Sequence, residues 1–189
     1  MDALSLLIAD HNRVRGLFAR FTAAEEEENV PEMATLAQKI ITELEIHTTI
    51  EEEIFYPEIK AADEEIKDTV DEGVEEHHVA KTLIGEVKLL TPDDDAWAAK
   101  LKVLIESVEH HAGEEEEEMF PMVRKAFDKA ALEDMGARLE ALKAQLGAPV
   151  AADKEHLTTD ELKKLATEQE IPGRSSMSRE ELVATVAPA

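Results

Sequence analysis

The chain has 189 residues, enough for one domain of about 100 to 150 residues and a smaller unit beside it. Aromatic residues make up only 4% of it and the net charge is −24, a composition that favours helices and disfavours binding to nucleic acid or anionic lipid. Because the sequence has no Cys, it excludes disulfides and thiolate metal sites. Any metal must therefore be held by His, Asp or Glu.

The first residues, MDALSLLIADHNRVRG, contain a short apolar run with an acid on each side. They show neither a basic segment nor a cleavage site, so we expect no signal peptide. No uncharged apolar run approaches the roughly 18 residues that a membrane helix needs. We therefore expect a cytoplasmic protein without a membrane partner.

Apolar residues at helical spacing predict four long helices, at about residues 2–24, 31–62, 64–90 and 92–127. A shorter amphipathic segment follows at 129–146. Pro57 should kink or weaken the last turns of the second helix. Four long helices with short connections predict an all-α fold, an antiparallel up-down four-helix bundle that occupies residues 1–146.

The end of the chain has a different character. Residues 147–155, GAPVAADKE, predict a flexible linker. In residues 156–189, Thr158 with Glu161 and Ser178 with Glu181 can form capping boxes at the start of two helices. Pro172 makes the residue before it extended. The pattern predicts a small helix, extended loop, helix motif with a core of Leu162, Leu165, Ile171, Met177, Leu182 and Val186.

Six polar residues fall on the apolar sides of the predicted helices, when each residue is turned by about 100° from the last. They are His11, His47, Glu51, His77, His111 and Glu115. The neighbouring His78 and His110 fall on the outer sides. Charge runs usually form solvated faces, so Glu52, Glu53, Glu114 and Glu116 to Glu118 are interpreted as facing mostly water.

The six residues form an internal repeat. The segments DHNRVRGLF and EHHVAKTLI align His11 with His77, and each half adds one His followed by Glu at the fourth position. A single inward His is more often an ordinary core residue than a ligand. Burying four imidazoles and two carboxylates together, however, costs several kcal/mol unless cations neutralise them. We therefore predict a metal site.

The number of donors indicates which metals fit. Four imidazole nitrogens and two carboxylates are too many for one tetrahedral zinc ion, but they suit two octahedral ions bridged by the carboxylates. Iron is favoured, while manganese or zinc is possible. Two ferrous ions can give two electrons to O2, so the site predicts chemistry with dioxygen, peroxide or nitric oxide.

With the segments IFYP and MFP that follow the paired motifs, the pattern resembles the hemerythrin-like (HHE cation-binding) family over about residues 1–146. The resemblance implies a di-iron centre, oxo- or hydroxo-bridged, held by these six residues. The sequence departs from the oxygen carriers, which have a second His where this chain has Lys81 and an Asp where it has Glu115. With these departures, the sequence is as consistent with sensing, peroxide turnover or iron handling as it is with reversible O2 carriage.

The final segment, ELKKLATEQEIPGRSSMSREELV, is similar to the N-terminal, SAP-like helix-extended-helix motif of the Rho transcription terminator. That resemblance suggests nucleic-acid contact. Residues 156–189, however, contain four basic and six acidic side chains. A protein partner fits this charge better.

Three functional hypotheses remain open from the sequence. The first is a redox or oxygen sensor, or a stress protein, with a di-iron centre. The second is a catalase-like or oxidase-like di-iron enzyme, for which no catalytic residue is assigned. The third is a structural bundle with empty polar pockets, linked to a C-terminal interaction motif, or an iron-handling module.

Overall fold

The structure, a computed structural model, describes residues 1–148 and 158–186. In the first range the helices are α1 Ala3–Glu26, α2 Val30–Ile50, α3 Tyr56–Ala62, α4 Lys67–Lys88, α5 Asp95–Glu114, α6 Phe120–Ala126 and α7 Lys129–Gln145. Two π-helical segments, π1 Glu51–Phe55 and π2 Glu115–Met119, join α2 to α3 and α5 to α6 without a break. The chain thus has four long helical rods: α1, α2–π1–α3, α4 and α5–π2–α6. The rods pack as a four-helix bundle, so the predicted all-α fold is confirmed. Helix α7 packs against α1, α2 and π1.

Local signals in the sequence explain where the helices begin. Asp2 caps α1 by accepting a hydrogen bond from the Ser5 amide, and Asn29 caps α2. The fourth rod begins at Asp95, three residues later than predicted. The reason is that the Asp94 carboxylate accepts hydrogen bonds from the amide and hydroxyl of Thr91, which holds residues 91–94 in a turn before the helix.

Each π segment begins at the Glu of a paired motif and ends just before a Pro-containing helix. The amide of Tyr56 donates to the carbonyl of Glu51, and that of Phe120 donates to Glu115, five residues back. Pro57 and Pro121 then occupy the first turns of α3 and α6. The predicted weakening near Pro57 therefore takes the form of a wider helical turn before it.

Two apolar clusters fill the bundle. One surrounds Phe21, Leu36 and Leu101, and the other surrounds Leu4, Ile59 and Leu139. The inward polar residues lie between them along the rods. The bundle therefore has a polar middle layer with an apolar layer on each side.

Residues 158–186 form a unit that we call the C-terminal unit. It comprises α8 Thr159–Glu168, a series of turns and α9 Arg179–Thr185. Ser178 and Glu181 form the predicted capping box. The buried core is Leu162, Ala166, Ile171, Leu182, Val183 and Val186, with Leu165 and Met177 partly buried against it.

Part of the predicted domain organisation cannot be compared with the structure. Most of the predicted linker 147–155, the start of the predicted motif at residue 156 and the side chain of Glu161 lie outside the described residues. The division into a bundle, a linker and a Rho-like motif therefore stays a prediction. Among the described residues, no helix is both long and apolar enough to cross a membrane.

Candidate metal centre

The structure brings all six predicted site residues together in the middle layer of the bundle. One comes from each of α1, α2, π1, α4, α5 and π2, and every one is buried: His11, His47, Glu51, His77, His111 and Glu115. His78 and His110 are exposed, as their positions on the helices predicted. On both α4 and α5, the position of each histidine on the helix therefore correctly predicted which one is buried.

The four histidines form two pairs. The Nε2 atoms of His11 and His47 are 3.1 Å apart, and those of His77 and His111 are 2.9 Å apart. Within each pair the rings meet edge to face. All four imidazoles therefore direct the same ring nitrogen into the centre.

Each carboxylate lies between the two histidine pairs. Glu51 Oε2 is 3.2 Å from His47 Nε2 and 3.3 Å from His77 Nε2. Glu115 Oε2 is 3.2 Å from His11 Nε2 and 3.7 Å from His111 Nε2. The donor atoms fall into two groups of metal-binding size that share Glu51: one is His11, His47, Glu51 and Glu115, and the other is Glu51, His77 and His111.

Several of these buried polar atoms lack a partner. Within the described ranges, both oxygens of Glu51 and Oε2 of Glu115 have no hydrogen-bond donor. Buried carboxylate oxygens without partners are unfavourable, and native proteins rarely leave them so. The atoms lie where the four imidazole nitrogens converge. The residues present therefore fit bound cations.

The electrostatics show how the protein alone accommodates these groups. Burial and the neighbouring Glu115 raise the pKa of Glu51 well above its usual value. Burial would also raise the pKa of Glu115, but His111 and His11 outweigh it and lower that pKa. Burial opposes the charge on His11, whereas the adjacent carboxylates of Glu115 and Glu116 raise its pKa to about 9. Burial and His111 lower the pKa of His77 to about 3. Protons thus neutralise part of the site, and metal binding would have to displace them.

An acidic side chain faces the outer nitrogen, Nδ1, of every one of the four histidines. The distances are 2.8 Å from His11 to Glu116, 3.0 Å from His77 to Glu52, 2.7 Å from His111 to Glu76 and 3.7 Å from His47 to Asp10. A carboxylate on Nδ1 fixes the orientation of the ring and leaves Nε2 free to bind a metal. The internal repeat extends to these acids, since Glu52 and Glu116 each follow a motif Glu and Asp10 and Glu76 each precede a lone His.

The sequence interpretation of Glu52 and Glu116 as solvated was wrong. Both side chains are only partly exposed, at 32% and 26%, because they reach inward to the histidines. Lys81 holds Glu52 with two contacts of 2.6 Å, and Arg15 holds Glu116 at 2.8 Å. Lys81 and Arg15 occupy equivalent places in the repeat, four residues after His77 and His11. An acidic residue directly follows the motif Glu in both halves of the repeat, and this recurrence could have identified Glu52 and Glu116 from the sequence.

Tyr56 is a site residue that the sequence reasoning missed. Its hydroxyl donates to Glu115 Oε1 at 2.8 Å and lies 3.4 Å from Nε2 of both His77 and His111. Gly73 makes room for it, since a Cβ there would be 3.0 Å from the hydroxyl. At 100° per residue Tyr56 falls about 180° from His47, and the wider π1 turn reduces that angle.

The repeat counterpart of Tyr56 is Phe120, whose ring stacks on His11 at 6.1 Å. At this position the two halves of the site therefore differ by one oxygen atom, which lies beside His77 and His111. The sequence shows this difference directly in IFYP and MFP.

A small cavity adjoins the histidines. Its free volume is about 20 Å3, which is room for a ligand of about two heavy atoms. Its apolar lining includes Val14, Phe18, Leu44, Ala80, Val108 and Ala112. Charged side chains, including Arg15 and Glu109, complete the lining, so the size of the cavity limits a ligand to a small molecule.

The fold and the buried donor groups define a helical-bundle protein with metal-binding potential. A model of the family described as "Hemerythrin HHE cation binding domain" matches residues 2–123, and the chain belongs to this family. The resemblance seen in the sequence is thereby confirmed for the bundle.

Individual relatives are more distant. The chain is 29% identical over 152 residues to the uncharacterized protein Rv2633c of Mycobacterium tuberculosis, covering 79% of this chain and 91% of that one. It is 24% identical over 148 residues to a DNA nickase of Nostoc sp., covering 77% of this chain but only 40% of the relative. A crystal structure of the Rv2633c homolog from Mycobacterium kansasii, an HHE cation binding domain-containing protein, has a TM-score of 0.63 at 20% identity. The superposition covers 98% of this chain and 99% of the Mycobacterium kansasii chain, which supports the assignment of the fold.

Proposed function

We propose that the protein is a non-haem di-iron protein that binds or reacts with dioxygen, peroxide or nitric oxide, as a redox or oxygen sensor or a stress protein. The observation that carries the proposal is the position of Glu51 and Glu115 between two histidine pairs, with three buried oxygens unpartnered among the described residues. In this assignment His11 and His47 would hold one ion, His77 and His111 would hold the other, and Glu51 and Glu115 would supply carboxylate donors to the pair.

Iron is the metal that this donor set favours. Imidazole nitrogen and carboxylate oxygen suit iron, and two carboxylates with histidines from facing helices are typical of di-iron bundles. Manganese or zinc remains a possible occupant of the same donors. When bound, two ferrous ions would supply two electrons for the reduction of a small oxidant.

We further propose that the Tyr56 oxygen is a seventh donor, on the ion held by His77 and His111. The supporting observations are its distance of 3.4 Å from both imidazole nitrogens and the presence of Gly73 behind it. Burial and Glu115 raise the pKa of Tyr56 well above its usual value, so the phenol is protonated until a cation replaces the proton. Because Phe120 offers no oxygen, the ion held by His11 and His47 would keep more positions open for a ligand.

The size and lining of the cavity support a diatomic or similarly small ligand. Its small volume excludes bulky substrates, so O2, NO and hydrogen peroxide are the class that we assign. The net charge of −24 gives no support to DNA as a substrate, although one relative is described as a DNA nickase. A cytoplasmic location is part of the proposal.

The test is metal analysis with an absorption spectrum of anaerobically purified protein, then after air, peroxide and NO. We expect about two irons per chain and a spectrum that changes with each oxidant. His77→Ala should lose iron, whereas the matched His78→Ala variant should retain it. Protein that folds without iron and binds none when reconstituted would overturn the proposal. Repeated consumption of peroxide would assign an enzyme, and a single stoichiometric reaction would assign a sensor.

Tyr56→Phe tests the seventh donor. A phenolate bound to ferric iron absorbs visible light, so the oxidised wild type should have a band that the variant lacks. Glu51, Glu115 and the histidines are unchanged in the variant, so it should still bind iron. If the visible spectra of the two proteins are identical, Tyr56 is not a ligand.

A further inference from the structure

The C-terminal unit contacts α1 at two places. Arg13 Nε donates to the carbonyl of Thr185 at 2.8 Å, and Arg13 Nη2 donates to the carbonyl of Ala184. At Gly16, a Cβ atom would lie only 2.6 Å from the carbonyl oxygen of Gln169 and 2.8 Å from Ile171 Cδ1. The helix and the unit therefore approach more closely than any other residue at position 16 would allow.

Arg13 also belongs to a cluster of four charges, three of which are buried. Its Nη1 is 3.0 Å from Glu43 of α2 and 3.6 Å from Asp10 of α1, and Asp10 is paired with Lys143 of α7. Asp10, Arg13 and Lys143 are at most 8% exposed. Buried charges depend on their partners, so removal of one acceptor disturbs the others. The C-terminal carbonyls thus help to fix the position of Asp10.

Asp10 lies directly behind a proposed metal ligand. Its Oδ2 is 3.7 Å from Nδ1 of His47, and neither atom has a hydrogen-bond partner among the described residues. The other three site histidines each have a carboxylate within 3.0 Å of Nδ1. A cation on Nε2 of His47 would place the hydrogen on Nδ1, where it can be donated to Asp10.

The internal repeat shows that this connection is present in only one half of the bundle. The counterpart of Arg13 on α4 is Val79, which is 49% exposed, and the counterpart of Gly16 is the exposed Thr82. The outer ion pairs of Arg15 and Lys81, by contrast, occur in both halves. Arg13 and Gly16 therefore have no equivalent in the other half of the repeat, and they occur in the half whose helix α1 contacts the C-terminal unit.

We infer that Arg13 is a positioning residue of the metal centre, and that docking of the C-terminal unit on α1 is linked to metal binding at His47 through Arg13 and Asp10. The inference rests on the proposed metal site. Linkage between two binding events is reciprocal. Bound metal makes the C-terminal unit dock more firmly, and the docked unit increases metal affinity by the same factor.

The first experiment uses the unmodified full chain. Hydrogen exchange is measured in metal-free protein and in protein reconstituted anaerobically with ferrous ion, whose metal content is determined on the same sample. We expect amides of residues 158–186 to exchange at least fivefold more slowly with metal bound, the lower end of ordinary coupling between sites. Equal exchange in this unit, in a sample that contains the metal, overturns the inference. Failure to bind metal at all contradicts the proposed function instead, so the two failures are distinguishable.

The second experiment displaces the C-terminal unit without changing a charged residue. In Gly16→Ala the new methyl group collides with the backbone of the unit, whereas the matched Gly85→Ala variant has nothing within 4 Å of the added Cβ. Both substitutions replace Gly by Ala, which is the better helix former. The gain in helix stability is therefore common to the two variants and cancels when they are compared. We expect only Gly16→Ala to speed exchange in residues 158–186 and to weaken ferrous-ion affinity at least fivefold. Faster exchange with unchanged metal affinity would refute the linkage.

Discussion

Glu51 is fully buried between two histidine pairs, and neither of its oxygens has a hydrogen-bond donor within the described part of the chain. Burial and the neighbouring Glu115 raise its pKa, so the metal-free protein favours the protonated form of Glu51. A bridging cation would replace that proton and satisfy both oxygens. Glu51 should therefore affect the stability of the metal-free protein and that of the metal-loaded protein differently.

Glu51→Ala should abolish metal binding and with it the stabilisation that metal provides. The measurement is the melting temperature with and without ferrous ion under anaerobic conditions. The wild type should melt higher with metal, and the variant should melt at the same temperature in both samples. Glu53→Ala, an exposed position on the same π turn, is the control and should respond to metal like the wild type. A Glu51→Ala protein with the full metal content would show that Glu51 is not a ligand.

Glu116→Ala should weaken metal binding by about 10- to 100-fold, the usual effect of removing a carboxylate that orients a metal-binding imidazole. The variant loses the contact with His11 Nδ1 and leaves Arg15 without that partner. Metal affinity is measured by competition with a chelator of known affinity. The adjacent Glu117→Ala is the control, because that side chain is exposed. Equal affinities in the two variants would mean that the acid on Nδ1 has no effect on the metal.

At the scale of single residues, helical facing was sufficient to predict the six inward polar side chains. It failed for Tyr56, because the argument assumed a uniform 100° per residue and the chain contains π1 before this position. It also failed for Glu52 and Glu116, which stand within long acidic runs. A side chain on the edge of a helix can bend inward to a neighbouring rod, and the sequence of one helix does not show where that rod lies.

Among the helical elements, the two π segments give the second and fourth rods the same construction. Each begins at the motif Glu and is followed by Pro in the first turn of the next helix. Since Pro has no amide hydrogen, a change in hydrogen-bond register just before it costs less than it would elsewhere. The wider turn brings Tyr56 in one rod and Phe120 in the other toward the middle layer.

The capping box of α9 predicts a pH dependence for the C-terminal unit. Hydrogen bonds from the Ser178 side chain and amide lower the pKa of Glu181 below its ordinary value of 4.5. Because the folded-state pKa is the lower one, the stabilisation is fully present above 4.5 and is lost as the pH falls through the folded value. Exchange protection factors of α9 amides should therefore fall as the pH is lowered through the folded-state pKa of Glu181.

Glu181→Gln should remove most of this pH dependence, while Glu168→Gln, an exposed position at the end of α8, should retain it. Protection factors already correct for the intrinsic effect of pH on exchange. If the Gln variant at position 181 loses protection with the same pH profile as the wild type, another group controls the acid response of α9.

At the scale of the whole molecule, the metal should act as an internal cross-link. The six proposed ligands come from all four rods, so a cation that binds them stabilises only the folded chain. Free metal at 100 times its dissociation constant adds about 2.7 kcal/mol. For a protein of this size that should raise the melting temperature by about 5 to 10 °C.

Calorimetry with excess ferrous ion, and again after removal by a chelator, measures this shift. The Glu51→Ala variant is the control for ion effects outside the site. Equal melting temperatures for the wild type in both conditions would mean that the bundle holds no metal that matters to its stability.

Periodicity along the chain was sufficient to predict the helical class, the four rods and the six residues of the middle layer. Four residues predicted for the core of the C-terminal unit are buried in the same way, Leu162, Ile171, Leu182 and Val186, whereas the buried Ala166 and Val183 were missed. The folded protein alone shows that Tyr56 contacts the site, that acids of neighbouring rods face every histidine and that Arg13 joins the C-terminal unit to Asp10 behind His47. Those contacts join residues far apart in the chain or across a π turn, and their formation depends on how closely packed helices approach one another, which periodicity does not encode.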